Sequence, residues 1–205
     1  MQQSKHIGKI IVTPPDFDLE EEAQENFKEP LVKADAAYVV TGGLAGFGFE
    51  NARWLAEKGA GALILISRSG LETEAARVNV EKLESMGTKV IAAACDVTDA
   101  SAVGALIKQA EAAGFSLNGI IHAAAVFEDS LIDTLTFETY QKVLAPKVDG
   151  CAVLHQLSEG KELDFFVLHS SNTTAFGNPG QANYVAANHY LEAFSDHRRA
   201  LGLPS

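Results

Sequence analysis

From residue 36 onward, short apolar runs alternate with longer stretches of mixed polarity. Each apolar run ends in polar residues or glycine, as buried parallel strands do, and the stretches between the runs are long enough for helices. The predicted strands cover residues 38–40, 63–66, 89–95, 118–122 and 165–168. The predicted helices follow them: one ends near Lys58, three cover residues 72–86, 101–113 and 136–159, and the last begins near Gln181.

This alternation requires crossover connections, which are right-handed and place helices on both faces of a parallel sheet. The sequence therefore predicts an α/β domain with a Rossmann-like, doubly wound parallel sheet. The chain ends at residues 202–205, where a sixth strand is expected, so we expect the C-terminal strands to be truncated.

Residues 1–35 differ from the rest of the chain. Residues 6–12 form a short basic and apolar strand pattern, and residues 14–30 are acidic with a proline at each end. A linker, a surface arm and a disordered tail all fit this composition.

Three glycines, Gly42, Gly46 and Gly48, lie between the first predicted strand and the first helix. Glycine permits close backbone approach, and the helix N-terminus offers free N–H groups and favourable charge to a phosphate. After the first strand of a βα series, this spacing predicts a dinucleotide site, although a tight turn with close helix packing gives the same pattern.

Arg68 lies 20 residues after Gly48 (68 − 48 = 20), where dinucleotide sites hold the residue that contacts the ribose. A carboxylate there suits the free hydroxyl of NAD, whereas a guanidinium suits the 2′-phosphate of NADPH. A solvated arginine is the alternative. Asp96 ends the third strand and suits either an adenine amino group or a helix or turn cap.

Polar residues of catalytic type follow the fifth strand. Ser171 comes at its end, and Tyr184 and Asn188, four residues apart, share one face of the next helix. A phenol has an ordinary pKa near ~10, and a nearby cation lowers it. Lys147 is the candidate cation, although a surface lysine, and strand-end residues that only cap and solvate, fit the same pattern. Pro146 within this helix predicts a kink.

Composition narrows the function further. The 205 residues carry a formal net charge of −11 without a basic stripe, which argues against a nucleic-acid partner. The two cysteines, Cys95 and Cys151, have the surroundings of small core residues, and no metal-ligand spacing occurs. No membrane span or signal-peptide pattern is present, so we expect a cytoplasmic protein.

The motif from Thr41 to Gly48, with Ser171 and Tyr184, resembles the short-chain dehydrogenase/reductase family. Asn188 stands where most of that family has lysine, and Lys147 precedes Ser171, which resembles the ketoreductase domains of modular polyketide and fatty acid synthases. The phrases LISRSG, CDVTD, HAAAV, APKVDG and GNPGQANYVAAN agree. The resemblance covers residues 36–205.

The resemblance implies that Ser171, Tyr184, Lys147 and Asn188 form a catalytic tetrad that uses NADPH. It implies a cofactor site formed by the strand ends: Thr41, Gly42, Gly43, Leu44, Gly46, Gly48, Ser67, Arg68, Asp96, Val97, Ala123, Ala124 and Ala125. Ala45 and Ala125 replace glycines common in the family; both are small, so we expect little effect.

The resemblance also implies a β-ketoacyl substrate on the phosphopantetheine of an acyl carrier protein, with neighbouring synthase domains as partners. Asp129 matches a marker of the B-type class, which gives a D-configured 3-hydroxyacyl product, and Phe176 is not the tryptophan of the opposite class. Pro179, next to Asn178, also resembles the B type, and Gln181 completes the expected substrate-facing set.

Residues 1–35 resemble the end of a preceding enoylreductase or structural region, and residues 36–205 resemble a C-terminally incomplete reductase domain. Two alternatives remain open: a free-standing reductase of a small ketone, and an inactive, structural cofactor-binding module.

Overall fold

Five parallel strands form one sheet within residues 31–205, the part of the chain that this computed structural model describes. In chain order they are β1 (Ala36–Thr41), β2 (Ala62–Ser67), β3 (Lys89–Ala94), β4 (Ser116–His122) and β5 (Phe165–Leu168). Their order in the sheet is β3-β2-β1-β4-β5. The chain therefore builds outward from β1 in one direction and then crosses to the other side, so the connections that follow β1 and β4 diverge. Ligands of open α/β sheets bind at such a switch point.

Four helices of the described residues connect these strands, and two more follow β5. They are α1 (Gly46–Glu57), α2 (Glu74–Ser85), α3 (Ala100–Ala112), α4 (Phe137–Leu157), α5 (Thr173–Phe176) and α6 (Ala182–Ala200). The predicted fold class is confirmed, and the predicted elements agree with the observed ones to within a few residues. One helix was not predicted: α5 lies between the fifth predicted strand and the last predicted helix. Helix α4 continues through Pro146.

Buried side chains lie on both faces of the sheet. On one face, Val39 and Ile64 pack with Leu154 of α4 and Leu191 of α6. On the other face, Leu65 packs with Leu55 of α1. The central strands β1 and β2 are almost wholly buried, whereas Val167 of β5 is 40% exposed. The strands that precede the glycine loop and Arg68 are therefore the most deeply buried of the sheet.

The compact unit that contains the sheet runs from Val32 to Ser205, and it begins four residues before the predicted boundary at Ala36 (36 − 32 = 4). The predicted strand over residues 6–12 and the acidic stretch over residues 14–30 lie outside the described residues. None of the helices within residues 31–205 has both the length and the apolar character that a membrane span needs.

Candidate active site

The carboxyl ends of all five strands lie at one edge of the sheet, because the strands are parallel. This edge collects the glycine loop after β1, Arg68 after β2, Asp96 after β3, the alanines after β4 and Ser171 after β5. The chain thus brings groups from five distant segments to one place, as the sequence predicts.

The glycine loop is closely packed against its own helix. A Cβ on Gly48 would lie 2.2 Å from the carbonyl oxygen of Gly42, which is much shorter than any real contact. Gly42 itself has a φ of +68°, a left-handed conformation that side chains disfavour. Helix α1 begins behind Ala45, which makes no capping bond, and its first turn carries no acidic residue. The first N–H groups of α1 therefore suit an anion.

A cavity of about 380 Å³ lies beside this loop. Half of its lining residues belong to the predicted cofactor set: Thr41, Gly42, Ser67, Arg68, Asp96, Val97, Ala124 and Ala125. The other predicted cofactor residues, Gly43, Leu44, Gly46, Gly48 and Ala123, do not line it. Lys142 of α4 lines the cavity and was not predicted, because a lysine in a helical stretch carries no sequence signal of a site.

Asp96 is held in a turn by Thr98. Its Oδ1 accepts from the Thr98 backbone N–H at 2.9 Å and from the Thr98 hydroxyl at 2.8 Å. The backbone bond is the main cause that lowers the pKa of Asp96, with smaller contributions from the hydroxyl and from Arg68. Asp99, rather than Asp96, caps α3, by accepting from Ala102 N–H at 3.0 Å. Asp96 is thus an ionised turn residue whose carboxylate lines the cavity.

Thr41 joins the ends of β1 and β4. Its hydroxyl oxygen accepts from the backbone N–H groups of Ala123 at 3.1 Å and Ala124 at 3.0 Å, and lies 2.7 Å from Nδ1 of His122. Since the oxygen already accepts twice, its proton is the one shared with Nδ1, so the His122 proton is on Nε2. Burial lowers the pKa of His122 to about 3 and keeps the ring neutral.

Lys147 of α4 lies at the same edge of the sheet. It is only 2% exposed, and its Nζ donates to the His169 carbonyl oxygen at 2.9 Å. The same Nζ lies 5.7 Å from the centre of the Tyr184 ring. Burial lowers the pKa of Lys147 to about 8. The structure thus places the predicted cation beside the predicted phenol.

Ser171 and Asn188 each retain hydrogen-bonding capacity. The Ser171 oxygen accepts from the Thr173 N–H at 3.2 Å and the Thr173 hydroxyl at 3.1 Å, so its own proton is left to donate. The amide of Asn188 donates to the Tyr184 carbonyl oxygen at 2.8 Å. Its Oδ1 is buried, with no partner among residues 31–205. Buried polar atoms are seldom left unpaired, which is consistent with a functional acceptor here.

The segment of residues 127–130, which follows β4, lies against the start of α6. The Ser130 N–H donates to the Gly180 carbonyl oxygen at 2.7 Å, and Gln181 Nε2 lies 3.1 Å from both carboxylate oxygens of Asp129. The Phe127 ring lies 4.8 Å from that of Tyr184. Two predicted substrate residues, Asp129 and Gln181, are thus in direct contact.

The other two predicted substrate residues make no contact of this kind. Phe176 is 85% exposed, at the end of α5, and Pro179 is exposed in the following turn. Within the described residues, no cluster of three or more histidine, cysteine, aspartate or glutamate side chains is arranged to hold a metal ion.

Comparison with known proteins agrees with this geometry. The family model for the KR domain matches residues 36–205. One component of the phenolphthiocerol/phthiocerol polyketide synthase of Mycobacterium tuberculosis is 36% identical over 205 residues, which cover 100% of this chain and 9% of that protein. Reducing polyketide synthase PKS1 of Cochliobolus heterostrophus is 37% identical over 206 residues, which cover 100% of this chain and 8% of that protein. The chain thus spans less than a tenth of the length of these relatives.

Solved structures give the same result. An A-type ketoreductase from a modular polyketide synthase matches with a TM-score of 0.81 and 37% identity, over 86% of this chain and 37% of that one. The first ketoreductase of the tylosin synthase matches with a TM-score of 0.76 and 42% identity, over 82% of this chain and 36% of that one. Since the family model includes every strand of the sheet, the chain belongs to the KR-domain family, whose members here are ketoreductase domains of polyketide synthases.

Proposed function

We propose that the chain reduces the 3-oxo group of a β-ketoacyl thioester to a 3-hydroxyacyl thioester, with NADPH as the hydride donor. The observation that carries this proposal is the buried ammonium of Lys147, 5.7 Å from the ring of Tyr184, at the sheet edge that also bears Ser171. Burial of an ammonium group that bonds only a carbonyl oxygen costs free energy of folding. Its position beside a phenol suits acid catalysis.

Each of the four residues has a distinct part. Tyr184 gives its phenolic proton to the substrate oxygen as that oxygen gains charge. Lys147, held by the His169 carbonyl, stabilises negative charge on the phenol oxygen. The free proton of Ser171 forms a hydrogen bond to the developing alkoxide and holds it in place. The Oδ1 of Asn188, which has no partner among residues 31–205, accepts a hydrogen bond from a proton carrier that serves Lys147.

The residues at the glycine loop fit a dinucleotide phosphate. The space that a Gly48 Cβ would fill is already closed by Gly42, which brings the uncapped first turn of α1 close to the loop backbone. Arg68 is exposed at the rim of the cavity and suits a 2′-phosphate, and Asp96 suits the adenine amino group. NADPH, when bound, supplies the hydride that C3 of the substrate accepts.

The substrate carrier is an acyl carrier protein, and the partners are neighbouring synthase domains. Support comes from the relatives, which are polyketide synthases of which the chain matches 8–9%. A substrate tethered by phosphopantetheine reaches Tyr184 past the 127–130 segment, whose exposed Phe127 and the adjoining Leu131 offer apolar surface to an acyl chain.

The product is the D-configured, B-type alcohol. Asp129 supports this assignment, since its carboxylate is fixed by Gln181 beside Tyr184. Phe176, in place of tryptophan, also supports it. Some of the matched structures are A-type ketoreductases, so overall likeness does not decide the configuration, and these side chains carry the assignment.

The test combines the chain with NADPH and a β-ketoacyl thioester of N-acetylcysteamine, followed by loss of cofactor absorbance and chiral analysis of the alcohol. Turnover with a D-configured product is expected. Bound NADPH without turnover would instead favour a structural cofactor-binding module. Faster reduction of a small diffusible ketone than of a carrier-bound thioester would favour a free-standing reductase.

A further inference from the structure

Asn183, immediately before Tyr184, is a buried polar residue with no part in the mechanism above. Asn183 is only 1% exposed to solvent. Its Oδ1 accepts from the backbone N–H of Tyr184 at 2.8 Å, and its Nδ2 donates to the carbonyl oxygen of Glu128 at 3.0 Å. One amide therefore connects two segments that lie 55 residues apart.

The acceptor half of this amide acts on the start of α6. Tyr184 lies in the first turn of that helix, where backbone N–H groups have no helical partner. Gln181, at the N-cap position, makes no capping bond. Asn183 Oδ1 therefore takes the place of a cap for the N–H of Tyr184 itself and fixes the backbone from which the phenol projects.

The donor half acts on the 127–130 segment. This segment touches the Tyr184 ring through Phe127, at a centroid distance of 4.8 Å. The Ser130 N–H holds its far end on Gly180. The Asn183 bond to Glu128 lies between these two contacts, so it sets how closely the Phe127 ring approaches Tyr184.

From these contacts we propose that Asn183 is a positioning residue for Tyr184, which fixes the backbone of the phenol on one side and the Phe127 ring on the other. This inference rests on the proposed function, because it assigns Tyr184 as the proton donor. Asn183 is buried, and we expect it to act through Tyr184 and the 127–130 segment. Its loss removes the side-chain partner of both the Tyr184 N–H and the Glu128 carbonyl, so the phenol and its neighbouring ring move apart.

The first test is Asn183→Ala with steady-state kinetics. We expect kcat to fall about ten- to a hundredfold, because an ångström of misplacement is that costly, while the dissociation constant of NADPH changes less than about twofold. We also expect a loss of preference between the two product configurations, because the wall beside the phenol is no longer fixed. Unchanged kcat and unchanged product configuration would overturn the proposal.

A matched control is Asn118→Ala. Asn118 also connects two segments, through a bond from its Nδ2 to the Glu162 carbonyl oxygen at 3.4 Å, but it lies near the amino end of β4. We expect its kcat and product configuration to equal those of the wild type. An equal loss of kcat in both variants would reduce the role of Asn183 to general stability and overturn the proposal.

Asn183→Asp is the conservative variant and decides the matter if the alanine variant does not fold. Its carboxyl keeps an acceptor for the Tyr184 N–H, but when ionised it repels the Glu128 carbonyl. Protonation restores a donor, so the ratio of variant to wild-type kcat should rise as pH falls. Nearby charges on Glu128, Asp129, Lys142 and Lys147 are present in both proteins, so their direct effects on kcat cancel in the ratio, which reports the titration of the added carboxyl group. A ratio independent of pH contradicts the proposal.

A readout without turnover separates this inference from the proposed function. The chain has 4 tyrosines, so 3-fluorotyrosine labelling gives few ¹⁹F signals, and Tyr184→Phe assigns the one of interest. In Asn183→Ala we expect the Tyr184 signal to shift or broaden, and in Asn118→Ala to stay in place. If the wild type fails to reduce any thioester, the proposed function falls, and an unmoved signal in Asn183→Ala is what would sink the positioning role.

Discussion

Two helices, α1 and α6, begin at the same edge of the sheet, and their N-termini are built in opposite ways. At α1, Ala45 provides no side-chain cap, and Gly42 and Gly48 approach within contact of each other. At α6, Asn183 and Gln181 hold the helix start through side chains that reach the 127–130 segment. One helix start depends on missing side chains and the other on side chains that are present.

The difference shows how each site is specified. A phosphate cradle needs backbone N–H groups and space, so a single added methyl group destroys it. A proton-transfer site needs particular groups in register, so a single removed atom destroys it. Substitutions that add an atom at α1 or remove groups around the two sites therefore test this difference.

The largest effect is expected from Tyr184→Phe. Loss of the phenolic proton should lower kcat by about 10² to 10⁴, the usual contribution of general acid catalysis, and leave NADPH affinity within about twofold. Tyr190→Phe is the control, since Tyr190 lies on the same helix and stacks on Phe194 at 5.6 Å. Full activity of Tyr184→Phe in the thioester assay would remove the proposed mechanism.

Gly48→Ala should weaken NADPH binding by about a hundredfold, because the methyl group forces α1 away from Gly42 at a cost of about 1–3 kcal/mol or more. Fluorescence titration with NADPH measures the change. Gly104→Ala is the control: Gly104 lies inside α3, and its Cβ would meet Leu157 at an ordinary 3.4 Å. That variant should bind NADPH normally and be stabilised by about 0.5–1 kcal/mol. Equal binding by both glycine variants would contradict the close-approach argument.

Lys147→Met should abolish most activity and yet stabilise the fold at neutral pH, by at most about 3 kcal/mol. Burial lowers the Lys147 pKa from 10.5 to about 8, so the folded chain binds fewer protons than the unfolded chain between those values. The unfolding free energy of the wild type therefore increases relative to that of the variant as pH rises from about 8 to 10.5. Denaturant unfolding at several pH values measures the difference. A constant difference would show that the ammonium is not strained by burial.

The smallest effect is expected from Arg68→Ala. The ratio of NADPH to NADH affinity should fall by about tenfold, since a charge-assisted bond at an exposed site is partly screened. Arg53→Ala is the control, because Arg53 is partly exposed on α1 and pairs with Glu50 and Glu57. Wild-type preference for NADH would refute the Arg68 assignment before any variant is made.

The sequence predicts the sheet well, because buried parallel strands such as 63–66 leave an unmistakable apolar run between turn residues. It also predicts the glycine loop, where the requirement for absent side chains is visible in the residues themselves. Both features depend on residues that are close in sequence, so they can be recognised without knowledge of the fold.

The remaining features depend on contacts between distant residues. The bond of Thr41 to His122 joins positions 81 apart, and that of Lys147 to the His169 carbonyl joins positions 22 apart. In the sequence, Asn183 resembles any polar residue at the start of a helix. Only the structure shows its bond to the Glu128 carbonyl. Helix α5 was missed because four residues are too few for a helical period to appear.

Two of the bonds that fasten the 127–130 segment to α6 and its preceding turn end on main-chain atoms, the Glu128 carbonyl and the Ser130 N–H. Main-chain atoms are the same in every amino acid except proline's nitrogen. Side chains at positions 127, 128 and 131 can therefore change without removing either of these two bonds. Variation in acyl preference can accumulate there during evolution, or in a directed library, while the acid stays where the chemistry needs it.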